Sequence, residues 1–433
     1  MENDDTIFAL ASARGRAGVA VVRVSGPQAL PCVFALARTT PTPRKSTLRT
    51  LWHDDKPLDQ ALVLTFEKGA SFTGEDVAEF HLHGGVAVVQ AVLSALSEMD
   101  GLRSAGPGEF TRRALENNQM DLPQVEGLAD LIEAETEAQR KQAFQVMQGA
   151  LSESCATWRT DLIRAMALLE AVIDFADEDV PVDVSPEVNA LLTTVQTGLR
   201  AEISGHQAAE RIRDGFEIAL VGAPNIGKST LLNAIAGRDV AITSEIAGTT
   251  RDVIEVRLDL RGLPATILDL AGIRESADVV ESLGIDRAKQ RASQADLRVF
   301  LVAAPEEAED FGVERKKGDI IVVGKSDLGD STVFGVSGKT GYGIDALLSR
   351  IAVEIGDRVS GSSSIIRLRH LEAVEYADEN IKSALEKITL GSEFGELVAA
   401  DVRFAISALD SLIGRVDVEQ VLGEIFAGFC IGK

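Results

Sequence analysis

The stretch Gly222–Thr230, GAPNIGKST, constrains this 433-residue chain more than any other. It fits G-x-x-x-x-G-K-[ST], follows the apolar run FEIALVG and opens the helical run KSTLLNAIAG. That strand–loop–helix setting is the one in which such a loop wraps a phosphate. Glycines let the backbone curl until its N–H groups face phosphate oxygens, and the helix N-terminus adds a favourable dipole. Lys228 is placed to reach the β- and γ-phosphates and Ser229 to ligate Mg2+; Asn225, Ile226, Gly227 and Thr230 complete the loop. The runs DVIEVRLDL, LPATILDLAG, DLRVFLVAA and GDIIVVGKSD read as further strands, and GIDALLSRIAVEIG as a helix. The alternation predicts an α/β sheet domain from about Phe216 to Asp357.

The base is read from GKSD, Gly324–Asp327, which follows the strand run IIVV. Asp327 would accept from guanine N1–H and N2–H2. Adenine lacks that donor pair, and leaving a buried carboxylate unpaired discriminates by roughly 10⁴. Lys325 belongs to the same motif, and VSGKT (Val336–Thr340) offers Ser337, Gly338 and Lys339 with a backbone N–H for guanine O6. These resemble the base-recognition motifs of the translation-factor-related GTPases. Those have Asn where Gly324 stands, so the missing amide predicts weaker nucleotide binding. DLAG (Asp269–Gly272) ends another strand run. Asp269 is placed to hold Mg2+ through water and the Gly272 N–H to sense the γ-phosphate, with Leu270 and Ala271 between them. GTTRD supplies Thr250, a second Mg2+ ligand that orders its loop only when the γ-phosphate is present. Ile273 follows DLAG where Ras-type domains place a water-orienting Gln, so water and developing charge must be handled differently.

The rest of the chain differs in texture. Residues 1–118 mix β-rich runs (VAVVRVSG, ALVLTFE, VAEFHLH) with a helical stretch at Val86–Met99 and read as α+β. From Leu122 the pattern reads as long helices with few breakers, interrupted by the acidic, proline-containing DEDVPVDVSP. Helical texture resumes after SGSSS, read as a linker. The expected organisation is an α+β domain (1–118), an all-α helical domain in two halves (119–214 and 358–433), and an inserted Ras-like α/β P-loop G domain (215–357). The formal net charge of −24 disfavours broad adhesion to nucleic acid and leaves an RNA contact to a local patch or a partner. Three widely spaced cysteines, and no apolar run long enough to span a bilayer, fit a reducing cytoplasm.

Taken together, GRAGVAVVRVSG, FTGEDVAEFHLHGG, PGEFTRRALENNQMDLPQVEGLADLIEAET, GAPNIGKSTLLN, EIAGTTRD, DLAGIRE and the terminal FCIGK resemble the MnmE (TrmE) family of tRNA-modification GTPases over essentially the whole chain. The resemblance implies GTP hydrolysis activated by K+ in place of an arginine finger. Asn225 would bind the ion by its side chain, and Ser244, Ile246 and Thr249 would supply further oxygens. Glu245, Ala247 and Gly248 belong to the same nucleotide-contacting loop. G domains of two subunits would meet across the nucleotide, and Glu281 matches the glutamate that orients the attacking water. The N-terminal domain resembles one that dimerises and binds tetrahydrofolate through Arg23, Glu79 and Lys433. Gln119 stands where a further contact is usually Lys. With the flavoprotein MnmG, which supplies FAD and uses NADH, such a protein adds an aminomethyl or carboxymethylaminomethyl group to C5 of a wobble uridine. The carbon comes from 5,10-methylene-tetrahydrofolate.

Cys430 has two readings: a small apolar residue packing the end of VEQVLGEIFAGF, or a catalytic thiol on a short flexible tail, activated by Lys433. Cys32 and Cys155 lie in apolar helical patterns and read as core. His81 and His83 share one strand face as metal ligands do, but a pocket wall or glycine-rich turn packing is favoured, since the three other histidines, His53, His206 and His370, adjoin no Cys or Asp/Glu ligand pattern. APEEAED reads as a solvated loop. The competing functions are a regulatory GTPase of ribosome assembly, which would not require the N-terminal α+β domain or a terminal thiol, and a nucleotide-driven scaffold with Cys430 structural.

Overall fold

A computed structural model describes residues 5–174, 183–242, 254–269, 289–309, 311–328, 334–359, 363–390 and 395–414, with 425, 426, 429, 431 and 432. The chain divides into two compact units, Met1–Ala129 with Asp410–Lys433, and Asp130–Leu409. No helix of the described residues is long and apolar enough to cross a membrane.

The first unit is built on six strands: β1 (Thr6–Leu10), β2 (Ala17–Ser25), β3 (Thr47–His53), β4 (Lys56–Phe66), β5 (Val77–Gly84) and β6 (Leu102–Ser104), in the order β3-β4-β5-β2-β1-β6. All neighbours are antiparallel except β1 and β6. Alternation sorts the side chains. Val22, Val24, Phe80 and Leu82 face α1 (Ala29–Ala37) and α2 (Val86–Ser97) and form one core with Cys32, Val33, Leu36, Val92 and Leu96. On β1, Ile7 and Ala9 pack instead against Phe110 of α3 (Glu109–Glu116). Burial pushes the Cys32 thiol up to about 12, so it is an inert core residue; Cys155 is buried as well.

The long helical run expected after Leu122 is broken, and its first helix spans the boundary of the two units at Ala129. The chain forms α4 (Leu122–Glu133), α5 (Glu137–Met147) and α6 (Ala150–Asp174). Thr136 starts α5 with a capping box closed by Gln139, and Gly149 takes φ +95° before α6; both breaks outweigh the apolar periodicity. Helix α7 (Ser185–Asp214) then leads to the second sheet: β7 (Phe216–Val221), β8 (Ile254–Leu260), β9 (Leu263–Asp269), β10 (Leu297–Val302) and β11 (Ile320–Val323). Its order is β11-β10-β7-β9-β8, parallel but for the β8–β9 hairpin. Every residue of β10 is buried, as a strand covered on both faces requires. One face packs on α8 (Lys228–Ala236) and α9 (Ile344–Gly356). Helices α10 (Leu368–Ile388) and α11 (Gly395–Leu412) follow.

Candidate nucleotide site

The P-loop leaves the central strand β7 and enters α8, at the carboxyl ends of the strands where open α/β sheets bind ligands. Asn225 and Gly227 both take positive φ, 63° and 114°, and Gly227 is the N-cap of α8. This turns the loop back over the helix N-terminus. Lys228 is buried; its ammonium donates to the carbonyls of Gly222 and, at 2.9 Å, Ala223. Burial pushes it below the ordinary lysine range, with the nearby Asp269 charge working in the opposite direction. The Ser229 hydroxyl donates to the Asp269 carboxylate at 2.8 Å. Register explains the meeting, since Leu220, just before the P-loop, lies opposite Asp269 in the β7–β9 ladder.

A cavity of about 460 Å³ lies elsewhere in this unit, but the one that gathers the motifs is smaller, about 330 Å³. Ile226, Gly227 and Thr230 of the P-loop line it on one side, and Lys325, Asp327, Ser337, Gly338 and Lys339 on the other. Asp327 is exposed on a single 3-10 turn, Ser326–Leu328, at the end of β11. The segment carrying Ser337 is fixed by Val336 N–H to Val323 O at 2.8 Å and Ser326 N–H to Val336 O at 3.2 Å. A Cβ at Gly338 would stand 2.6 Å from the Leu231 backbone nitrogen, so only glycine lets this loop lie against α8. Gly324, where an Asn was expected, would place a Cβ 3.3 Å from the Ile226 carbonyl and 3.2 Å from Leu301 Cδ1. The position thus borders the P-loop, the place an amide would brace. Ser244, Glu245, Ile246, Ala247, Gly248, Thr249, Thr250, Leu270, Ala271, Gly272 and Glu281 lie outside the described residues.

In the first unit Arg23 and Glu79 stand directly opposite each other across β2 and β5. Arg23 Nε donates to Glu79 Oε1 at 2.9 Å, and the guanidinium lies 5.5 Å from the Phe72 ring and 5.8 Å from the Phe110 ring. Sequence reasoning gave these two phenylalanines no role: residues 23, 72, 79 and 110 converge only through strand register and the placing of α3. Gln119 is exposed after α3, its amide donating to the Asn117 carbonyl at 3.2 Å beside Gly74. His81 contacts Glu79 at 3.4 Å and His83 contacts Asp59 at 2.7 Å, each in a carboxylate pair; among the described residues no cluster of metal-binding side chains forms.

The expected flexibility of the chain end is corrected at two residues. Ile431 forms an antiparallel bridge with Pro107. Gly432, with φ +100°, lies so close to the Leu10 carbonyl and Ala11 that a side chain would collide. Cys430 and Lys433 themselves lie outside the described residues.

Comparison with known proteins agrees with this geometry. The family model described as MnmE helical domain matches residues 122–430, well over half the chain, and that described as GTP-binding protein TrmE N-terminus matches residues 6–119. The tRNA modification GTPase MnmE of Roseobacter denitrificans is 57% identical over 430 residues, covering 99% of this chain and 100% of the relative. That of Caulobacter vibrioides is 48% identical over 448 residues, with coverage of 99% and 100%. Among solved structures, Era in complex with MgGDPNP and ribosomal RNA is similar at 28% identity, TM-score 0.26, covering 32% of this chain and 56% of that one. The G domain of the T. maritima FeoB iron transporter is similar at 24% identity, TM-score 0.25, covering 33% and 98%. By its matched domains and its full-length relatives, the chain belongs to the MnmE (TrmE) family of tRNA modification GTPases.

Proposed function

We propose that this protein hydrolyses GTP in the service of tRNA modification and, with the flavoprotein MnmG, adds an aminomethyl or carboxymethylaminomethyl group to C5 of wobble uridine. One observation carries the reading: the P-loop and the residues expected to read guanine line a single cavity. Ile226, Gly227 and Thr230 of the P-loop meet it on one side and the Asp327 carboxylate on the other.

The hydroxyl of Ser229 and the carboxylate of Asp269, 2.8 Å apart, are the hard oxygen pair that Mg2+ prefers, with Thr250 as its further ligand. Asn225, exposed on the loop in its left-handed conformation, offers an amide oxygen for K+, and Ser244, Ile246 and Thr249 complete that set. When bound, both ions supply positive charge beside the phosphates. Lys228 holds phosphate oxygens, the P-loop N–H groups orient them, and Glu281 orients the attacking water. In the N-terminal domain Arg23, held by Glu79 and flanked by two aromatic rings, provides a fixed cationic fork suited to a folate, with Gln119 and Lys433 as further contacts. The folate supplies a one-carbon unit, and Cys430 acts on the uridine. We assign these tasks to residues 1–118 (folate and homodimerisation), 119–214 with 358–433 (helical domain) and 215–357 (G domain), in a cytoplasmic complex with MnmG and tRNA.

Wobble-uridine analysis of tRNA from a deletion strain tests the reading, which predicts loss of the C5 group; intact wobble uridines would favour a ribosome-assembly GTPase instead. Turnover measured in K+ and in Na+ tests the ion, and equal rates would remove it. Cys430→Ser is expected to abolish modification and spare GTP hydrolysis.

A further inference from the structure

The tip of the β8–β9 hairpin rests on the first turn of α5. Arg261 and Gly262 form its two-residue turn, with φ of 58° and 87°, the geometry a tight hairpin favours. The Gly262 carbonyl accepts from the Ala138 backbone N–H at 2.9 Å. Ala138 is the second residue of α5, and a helix has no internal acceptor for that N–H. The hairpin therefore caps the helix. Gln139 ties the same turn to the chain entering the sheet. Its side-chain Oε1 accepts from the Glu135 and Thr136 N–H groups at 3.0 Å, and its Nε2 donates to the Arg213 carbonyl at 2.9 Å. Arg213, one residue before the end of α7, donates to Asp130 Oδ1 at 3.3 Å, and Arg367, at the start of α10, donates to the same oxygen at 2.7 Å. A single carboxylate, 11% exposed, thus grips the chain on both sides of the α/β module.

Resting on the reading that this module binds GTP, we propose that Asp130 and Gln139 are positioning residues for hydrolysis: through the α5–hairpin contact, the phosphate site and the helical segments bias each other. Strand β9 runs from this contact to Asp269, which receives the Ser229 hydroxyl. Its ladder with β7 is in continuous register from Phe216↔Ala265 to Leu220↔Asp269. A displacement of Asp269 is therefore carried along a paired strand to a turn whose carbonyl is committed to α5. Coupling of this kind is reciprocal, so altering the contact must alter how the site ranks its ligands. A contact of equal strength in both nucleotide states would couple nothing.

The test uses the full chain, measuring affinity for GDP and for a non-hydrolysable GTP analogue in the unmodified protein, Asp130→Asn and Gln139→Leu. The ratio of the two affinities is expected to shift by about five-fold or more in each variant. Hydrogen exchange in residues 137–147 should differ between the two nucleotide states in the unmodified protein and converge in the variants. If both affinities move together, or only Tm falls, the cluster is a structural tether and the proposal is overturned. Arg367→Lys, which keeps the charge and loses the fork, replaces Asp130→Asn should that variant not fold. If the unmodified protein binds neither nucleotide, the GTP reading falls and this proposal with it; binding with an unmoved ratio removes the proposal alone.

Discussion

The two sheets place their chemistry differently. In the parallel sheet of the second unit, the candidate groups ride on loops and strand ends at one edge: Lys228, Ser229, Asp269 and Asp327 each sit at or just beyond a strand's carboxyl end or at a helix start. In the antiparallel sheet of the first unit they stand on a strand face, Arg23 opposite Glu79 in mid-ladder. A parallel sheet is covered on both faces, so only its ends are open. An antiparallel sheet leaves part of a face free, and a charged pair can be planted there.

Each unit also buries an arginine, and this gives the sharpest way to break the comparison. Arg298 and Asp319 are sealed in the second unit at 1% and 0% side-chain exposure. Arg298→Ala takes the guanidinium from that sealed carboxylate, leaving it the backbone N–H groups of residues 298 and 316, and should cost about 3–5 kcal/mol, read as a fall in Tm. Arg113 is equally buried but shared: it donates to Asp5, 40% exposed, and to Glu75, 14% exposed, with Glu109 3.6 Å away. Arg113→Ala should cost less, about 2 kcal/mol, because Asp5 and Glu109 keep Arg103 and Glu75 keeps the Ser25 hydroxyl. Equal losses would contradict the distinction.

Lys228→Ala should lower GTP turnover by about 100-fold, as losing one preorganised donor to developing charge commonly does. Gly338→Ala, forcing a Cβ against the Leu231 backbone, should cost about 1–3 kcal/mol, visible as weaker guanine-nucleotide binding in a titration.

Acid and base should separate the units. Burial works to raise the carboxyls of Asp5 and Glu109, but Arg103 and Arg113 outweigh it and hold both below the usual carboxylate range. Their stabilisation is complete above that range and is lost as pH falls below about 4 through the lowered values. Lys228 has the opposite sign: its folded value is depressed, so its cost is full below that value and disappears as pH rises toward the ordinary lysine range. Denaturation curves across pH should show Glu109→Gln flattening the acid limb and Lys228→Met the alkaline one.

The smallest effect concerns Gly324. Gly324→Ala adds crowding against Ile226 without an amide, and Gly324→Asn adds both. The Asn variant should bind guanine nucleotide about five-fold more tightly than the Ala variant, the value of one net hydrogen bond. No difference would mean that the amide finds no partner there.

The nucleotide site was legible in the residues because phosphate binding needs glycine, lysine and serine at fixed spacing in one short loop. The guanine motifs were legible for the same reason. That both line one cavity followed only from the order of the strands. The breaks at Thr136 and Gly149 were missed because a capping box and a left-handed glycine interrupt a helix without disturbing its apolar periodicity. The sequence alone determined the local pattern: a phosphate-loop motif, a carboxylate proposed for the base, and strands that alternate in or out. Tertiary structure alone decided what joins across distance: Phe72 and Phe110 around Arg23, Pro107 beside Ile431, and Asp130 between Arg213 and Arg367. The reason is physical, since spacing along a chain sets geometry only within a turn or a strand, whereas distant partners are chosen by register and packing once the core has closed.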